Sequence, residues 1–525
     1  MSGGKCGTKS EHLKSEGNRF YLQKRFHDAL LKYNESLCFA EAESEILGLS
    51  YANRSAIYFE MQLYDKCLTN VGYARKNGYP KKNLEILKKR EDKCFQAMKH
   101  NREEIKATDA LSFFKLSYPP KKNLPFVSAC LELKIDKKYG KHIVTNRALK
   151  VGDVVAIDTP KFKVIKADSR YNTSFDSNAF QRCANCLKDN LLSLIPCTSC
   201  CKTMYCSMDC MSSAQKRHHQ FECEIIDELL TSGLLHIVVR MFFEGLSLFD
   251  DIHDMDKYVN QNDELLTVFD ISEDLNGSEM NKKLFMAILS LVAGNRNTFE
   301  VSCDYSDTFK KTEKLRNLWN SNENFVKNVL SKLIQVGKLY VHGIGSWSLK
   351  LEESKDKEPT NPAKHQELIA NACYLFCSLL NHSCGPNIKR VNVGDNVVVI
   401  VSRPIAKGEQ LFDSYRPMFN NQSKAQRQEC LLKDYGFICD CEACVKNWPM
   451  NANLKVISED LLEFAWTSHE DLPFLTVKEA KQKLVELYEI IQQHHQHFPT
   501  AELVILQECI SNCSIILTKP LIQFP

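Results

Sequence analysis

An excess of charge of one sign is the first thing this chain lacks. Its 68 Lys and Arg residues nearly balance 65 Asp and Glu, leaving a formal net charge of +3. A protein that grips nucleic acid over its whole surface is usually strongly basic, so the balance argues against that class. No basic run that reads as a nuclear-localisation signal is present. Long apolar runs are missing as well. Residues Met1 to Leu13 contain no apolar segment of the kind that starts a signal peptide. The most apolar stretch, Leu229 to Phe243, is interrupted by Thr231, Ser232, Gly233, His236 and Arg240, and is too short and polar to span a bilayer. A cytoplasmic or nuclear protein is the expectation.

Cysteine, by contrast, is plentiful, with 23 residues. Without an export signal, dense cysteine reads as metal binding rather than as a disulfide framework. The 525 residues, 44% apolar and 25% charged, suit a soluble globular protein with a large core. Two cysteine groups stand out. The peptide Asn381-His382-Ser383-Cys384-Gly385-Pro386-Asn387 is followed, about 55 residues after its cysteine, by Cys439, Cys441 and Cys444 in a CxCxxC pattern. Four soft sulfur ligands complete a tetrahedral zinc site. The second group lies between 183 and 223 and comprises Cys183, Cys186, Cys197, Cys200, Cys206, Cys210, His219 and Cys223. Eight ligands make two closed zinc sites with no position left for water, which marks a structural role. His218 and Cys201 adjoin ligands, but the CxxC and Hx3C spacings favour Cys200 and His219.

Local patterns divide the rest. From about residue 11 to 100, small and aromatic residues (Gly17, Phe20, Ala29, Tyr33, Ala56, Tyr58, Ala74) recur at the offsets of a roughly 34-residue helix-turn-helix repeat. Ile143-Val144 and Val154 to Ile157 suggest short strands around the break at Gly152-Asp153. Residues 224 to 370 read as mostly helical, with Phe325, Val326, Val329, Leu330, Leu333 and Ile334 on one face. Strands are expected to return after Asn387, notably Val397 to Val401. Helices resume after Cys444, with Leu484, Leu487, Ile490 and Ile491 on one face. The charged stretch Glu352 to Lys364 reads as an exposed loop.

The order of these parts closely resembles the SET- and MYND-domain family, in the branch with a tetratricopeptide-like front segment. The resemblance implies an α+β fold: a β-rich SET domain split by a MYND zinc finger and a helical insert, with helices at both ends. The expected division is a flexible N-terminus (1–10), tetratricopeptide-like repeats (11–105), the first SET part (111–182), the finger (183–223), the helical insert (224–370), the SET core (371–438), a post-SET zinc cluster (439–446) and a C-terminal helical region (450–525). The family pattern gives Cys183, Cys186, Cys206 and Cys210 to one zinc, Cys197, Cys200, His219 and Cys223 to a second, and Cys384 with the CxCxxC to a third. It implies S-adenosylmethionine-dependent methylation of protein lysines, on histone or other proteins. Gly140, Lys141, His142, Ser378, Leu380, Asn381, His382, Tyr415 and Phe437 then match cofactor contacts. Tyr415 is the catalytic candidate, and Tyr435 matches the lysine channel. The finger implies binding to proline-containing peptides. Lys14, Asn18, Asn53 and Arg90 match positions where related repeats clamp an acidic C-terminus, as of Hsp90- or Hsp70-type chaperones. Neither a membrane nor a strong nucleic-acid role is implied. The chain departs from the family at Lys141, where arginine is usual, at Ala370-Asn371-Ala372-Cys373, where glycines are common, at Tyr340, where a cofactor-binding asparagine is usual, and at Arg416, where glycine is common. These departures support a second reading: a catalytically weak or inactive scaffold or transcriptional corepressor.

Overall fold

A computed structural model describes residues 4–100, 109–166, 177–262, 266–271, 275, 277–292, 305–347 and 366–519. The expected loop at 352–364 lies outside them. The front of the chain is helical: α1 (Gly7–Leu22), α2 (Phe26–Phe39), α3 (Glu45–Glu60), α4 (Tyr64–Lys76) and α5 (Leu84–His100). Lys24 and Gln62 turn the chain between α1 and α2 and between α3 and α4, at φ of 59° each. The small-and-aromatic pattern has a direct packing cause. A Cβ on Gly17 would fall 2.5 Å from the Tyr33 ring, so only glycine lets α1 and α2 approach there. A flexible N-terminus is expected through residue 10, but residues 7–10 are helical. Helix α1 already begins at Gly7, because the Cys6 amide bonds to Phe39 O (2.8 Å) and Lys5 Nζ bonds to Cys38 O and Cys197 O.

Among the described residues twelve strands follow: β1 (Leu131–Asp136), β2 (Gly140–Thr145), β3 (Val154–Asp158), β4 (Phe162–Ile165), β5 (Ile195–Pro196), β6 (Met204–Tyr205), β7 (Val341–Trp347), β8 (Gln366–Cys373), β9 (Asn381–His382), β10 (Ile388–Val393), β11 (Asn396–Val401) and β12 (Phe412–Asp413). They form small sheets. β1 and β2 make a hairpin, β10-β11-β3 and β4-β8-β7 are antiparallel triplets, and β5 and β6 pair inside the finger. The β9–β12 pair is parallel, with Asn381 opposite Phe412 and His382 opposite Asp413.

The helical insert ends earlier than the sequence suggests. The helix Glu323–Tyr340 buries its expected apolar face, then β7 and β8 pair across the sheet, so 341–347 and 366–373 are strands. The cause lies in contacts distant along the chain. Gly343 sits against Leu368 of β8, where a Cβ would come within 2.4 Å of that side chain, and the register shifts at Ile344/Gly345. A glycine-punctuated strand with its partner more than twenty residues away has no local signature.

Three junctions set the functional parts in place. The front helices and the finger share one core. Fully buried Arg54 bridges them, bonding Asn34 Oδ1 and Leu194 O (2.6 Å each) and Asn70 Oδ1 (2.9 Å from Nε). Asn34 Nδ2 in turn donates to Phe180 O and Leu192 O. Next, Arg240 on the helix Leu234–Leu246 pairs with Glu222 at the end of the finger (2.6 Å) and bonds Lys163 O on β4 (3.1 Å). Finally, the C-terminal helices Glu459–Asp471, Val477–His494 and Ala501–Leu517 close a core over β10 and β11, with Leu484, Leu487 and Ile491 packed with Val391, Val398 and Ile400. Ile490 joins that core only partly buried. Among the described residues no helix is long and apolar enough to cross a membrane.

Candidate functional site

The twelve expected metal ligands converge as three sets of four. Cys183, Cys186, Cys206 and Cys210 form one, Cys197, Cys200, His219 and Cys223 the second, and Cys384, Cys439, Cys441 and Cys444 the third, with the ligand atoms of each set within 4.8 Å of one another. Measured edges include Cys186–Cys206 at 3.5 Å, Cys197–Cys223 at 3.9 Å and Cys384–Cys444 at 3.6 Å. Tetrahedral thiolates at the usual zinc–sulfur bond length of about 2.3 Å lie roughly 3.7 Å apart, so the sets fit zinc. The thiols also press on one another. A hydrogen bond from Cys183 pushes Cys186 down to about 5 while Cys183 itself rises, so a cation is needed before all four can be thiolates. His218 stays outside its set, 3.2 Å from the Glu244 carboxylate, and Cys201 is buried outside it.

The third set is wired to Tyr415 through His382. His382 is buried, with Nε2 3.3 Å from Cys384 Sγ and Nδ1 accepting the Tyr415 N–H at 3.0 Å. Burial pushes the imidazole down to about 4, so it is neutral at physiological pH and Nδ1 is a competent acceptor. The Tyr415 hydroxyl donates to Leu380 O (3.0 Å), and Tyr435 OH donates to Tyr415 O (3.1 Å). Burial raises the Tyr415 phenol further above its usual range and keeps it protonated. The Tyr415 ring lies 5.3 Å from the imidazole and 4.8 Å from the Tyr435 ring, centroid to centroid.

Two clefts meet at this tyrosine. One, of about 660 Å³, is lined by Gly140, Lys141, Ser378, Asn381, His382, Tyr415, Tyr435 and Phe437, so it gathers most of the expected cofactor contacts. The other, of about 810 Å³, shares Leu339, Tyr340, Ser378, Tyr415 and Tyr435 with it and continues past Arg390 and Asp413. Two expected cofactor residues are placed elsewhere. Leu380 lines the larger cleft, and the His142 ring lies behind the hairpin, Nδ1 3.0 Å from Gly140 O. Gly140 has φ +62°, and a Cβ there would meet nothing within 4 Å, which is the open cleft itself. Asn381 Nδ2 donates to Tyr139 O (2.9 Å), and Lys141 Nζ to Ser290 O (2.9 Å).

The departures from the expected pattern also have places. Tyr340 lines both clefts, and its hydroxyl bonds Leu291 O at 3.0 Å. Arg416 carries φ 143°, in the region that favours glycine, so the backbone immediately after Tyr415 is strained. Sequence reasoning missed Asp158 and Tyr139. One oxygen of the Asp158 carboxylate accepts the N–H groups of Phe376 and Cys377 (3.0 and 2.9 Å), which holds the turn leading into Ser378. Nothing near Asp158 in sequence marks it, because its partners are more than two hundred residues away. Tyr139 could have been suspected from the tight turn in which Asp136 caps the Lys138 and Tyr139 amides.

Of the front-segment residues, Asn53 Nδ2 and Tyr33 OH both donate to Asn18 Oδ1 at 2.8 Å. Lys14 pairs with Glu11 (2.8 Å), and Arg90 bonds Ala52 O and Ser55 Oγ.

Comparison with known proteins agrees with this geometry. A family model of the SET domain matches residues 140–416, just over half of the chain. The chain is 23% identical over 502 residues to the zebrafish (Danio rerio) protein-lysine N-methyltransferase SMYD4, covering 83% of this chain and 65% of that relative. The mouse (Mus musculus) SMYD4 protein is 24% identical over 535 residues, covering 82% and 66%. A SET and MYND domain-containing protein of Dictyostelium discoideum is 25% identical over 346 residues, covering 60% of this chain and 81% of its own. The chain therefore spans about two thirds of the length of the SMYD4 relatives, 65% and 66%.

Proposed function

Because the chain belongs to the SET-domain family, we propose that it is an S-adenosylmethionine-dependent protein-lysine N-methyltransferase with three structural zinc ions. The observation that carries this reading is the meeting of two clefts at Tyr340, Tyr415 and Tyr435. One cleft takes the cofactor and the other the lysine of a histone or non-histone protein. S-adenosylmethionine, when bound, supplies a methyl group on a positively charged sulfur. What remains for the protein is positioning and exclusion of water. Gly140 leaves room beside the β1–β2 hairpin, and Asn381, with its amide nitrogen bound to Tyr139 O, offers its oxygen to a ligand. The Tyr415 proton is directed to Leu380 O, so the oxygen lone pairs remain to accept from the amine. Neutral and buried, Tyr415 acts as an oriented dipole rather than as a base. The amine must arrive deprotonated, and a neighbouring positive charge favours that state. With the cofactor bound, these residues would hold the deprotonated amine toward the methyl group that it would supply, and the methylated ammonium would release its surplus proton to solvent.

Calorimetric titration with S-adenosylmethionine, followed by radiolabelled methyl transfer to histones and other proteins, tests this. Binding is expected and is lost in His382→Ala. Tyr415→Phe keeps binding and slows transfer by about 10²–10³-fold. A folded, zinc-loaded chain that binds no cofactor supports the second reading, a catalytically inactive scaffold or transcriptional corepressor. The observation favouring that reading is the Tyr340 hydroxyl bonded to Leu291 O at the position where the family resemblance leads one to expect a cofactor-binding asparagine. Under either reading the finger takes proline-containing peptides and the front helices an acidic C-terminal tail of the Hsp90 or Hsp70 type. The pairing of Asn18 with Asn53 supports the tail site. Tail binding that is absent, or untouched by Lys14→Ala, would remove it. Residence in the cytoplasm or nucleus is in keeping with eleven cysteines gathered in three ligand sets rather than in disulfides.

A further inference from the structure

The larger cleft is chemically lopsided. Its charged lining is Lys338, Lys389, Arg390, Arg416 and Lys433 against Asp413 and Asp434. Arg390 and Asp413 pair at 2.8 Å and cancel. The His342 ring that Arg390 also contacts is held neutral by its burial and by that guanidinium. Asp434 faces the thiol of Cys430 at 3.6 Å. Lys389, Arg416 and Lys433 are different: none has a side-chain hydrogen bond or ion pair within the described residues. They stand on three separate elements, namely β10, the turn after β12 and the helix Lys424–Tyr435. All three line the cleft, and Arg416 and Lys433 both act on the Cys430 thiol, so they approach one another there. Lys389 is only partly exposed, and burial disfavours its charged form. Glu508 and Asp413 act on it in the opposite sense, favouring the charge, but neither forms an ion pair with it, so a further anion would still stabilise the ammonium. Arg416, held in strained backbone next to Tyr415, brings its charge to the rim where the two clefts meet.

On the methyltransferase reading, on which this inference rests, the segment entering this cleft carries the target lysine. We propose that this segment is acidic, with Asp or Glu side chains flanking the lysine and seated against Lys389, Arg416 and Lys433. A basic segment, such as a lysine- and arginine-rich tail, would bring its cations against a lining in which cations outnumber carboxylates. The same positive wall helps the target amine lose its proton, because a like charge lowers an amine's pKa. The smaller cleft comes closer to balance, with Lys137, Lys138 and Lys141 against Asp136 and Asp440, whereas in the larger one five cations face two carboxylates.

The test is direct binding, independent of turnover. Two fluorescein-labelled peptides of equal length, each with one central lysine, are flanked by Asp and Glu in one case and by Arg in the other. Anisotropy is measured with the full, zinc-loaded chain, and S-adenosylmethionine affinity is measured in parallel. The acidic peptide is expected to bind at least about tenfold more tightly, with the margin shrinking as salt is raised. Lys433→Glu, on an exposed helical position, should reduce the margin severalfold, and Lys389→Glu with Lys433→Glu should erase it while cofactor affinity persists. A preference for the acidic peptide without methyl transfer would unseat the enzyme reading and leave the charge inference standing. Equal affinity, tighter binding of the basic peptide, or no binding of either overturns the inference.

Discussion

Replacing Cys384 by serine should disable two functions through one sulfur. Cys384 Sγ lies 3.6 Å from Cys444 Sγ and 3.3 Å from His382 Nε2. Structural zinc sites bind with roughly 10–16 kcal/mol spread over four ligands, so losing one thiolate removes about 3 kcal/mol and weakens zinc on the order of 100-fold. His382 then loses the neighbour that fixes its ring. The Tyr415 N–H that it accepts at 3.0 Å, in a buried setting, is left with a mobile partner. An unsatisfied buried amide costs about 1–3 kcal/mol, and that cost falls on the geometry lining the cofactor cleft, so cofactor affinity should drop about 10- to 100-fold. Zinc per chain by elemental mass spectrometry and cofactor affinity by calorimetry read the two effects separately. Cys210→Ser, in a set that lines neither cleft, is the control: zinc should fall while cofactor affinity holds. If Cys384→Ser sheds its zinc yet binds S-adenosylmethionine like the parent, the link through His382 is wrong.

Arg54→Ala should destabilise the front helices together with the finger by about 3–5 kcal/mol, because a buried guanidinium is removed from four hydrogen bonds and its acceptors are stranded. Urea denaturation followed by tryptophan-independent circular dichroism measures it, and a change under about 0.5 kcal/mol would contradict the described junction. Asp158 offers a pH test. Burial raises its carboxyl to about 6 from 3.8, so the folded chain holds that proton more tightly than the unfolded chain. Its contribution is fully present below the unfolded value and is lost as pH rises through about 6, a swing of about 3 kcal/mol in all. Asp158→Asn keeps an oxygen for the Phe376 and Cys377 amides and removes the titration, so the variant should gain about 1 kcal/mol on the parent between roughly pH 5 and 7. Taking the difference at each pH cancels the zinc dependence common to both proteins, and a flat difference would refute the assignment.

The metal ligands were the most legible part of the sequence, and the reason is chemical. A thiolate site tolerates few substitutes and leaves fixed spacings, so all twelve ligands stand out in the sequence, while the division of the finger's eight between two zincs came from the family resemblance. The front helices were legible from Gly17 and Tyr33 because their contact is nearly local. The strands β7 and β8 were not, since Gly343 and Leu368 meet only across a long excursion of the chain. The role of His382 was half legible. Its position beside Asn381 marked the cofactor cleft, but only the fold shows that both ring nitrogens face protein atoms. The cationic rim was invisible for a further reason: Lys389, Arg416 and Lys433 are ordinary surface residues in sequence and become a set only when three elements converge.

The three metal sets therefore belong to two mechanical units. The two finger sets support the front helices through Arg54, Asn34 and Tyr58, whose hydroxyl reaches Leu191 O at 2.8 Å. The third supports Tyr415 through His382. The described connection between the units runs through Arg240, which joins Glu222, beside the ligand Cys223, to Lys163 O of β4. That ion pair is fully buried, so breaking either partner leaves an uncompensated charge, and its geometry resists small displacements. Such a junction is expected to keep the finger docked on β4 whichever cleft is filled. On the proposed function, partner binding at the finger and methyl transfer at Tyr415 should then vary independently unless a partner is large enough to reach Lys389, Arg416 and Lys433 as well.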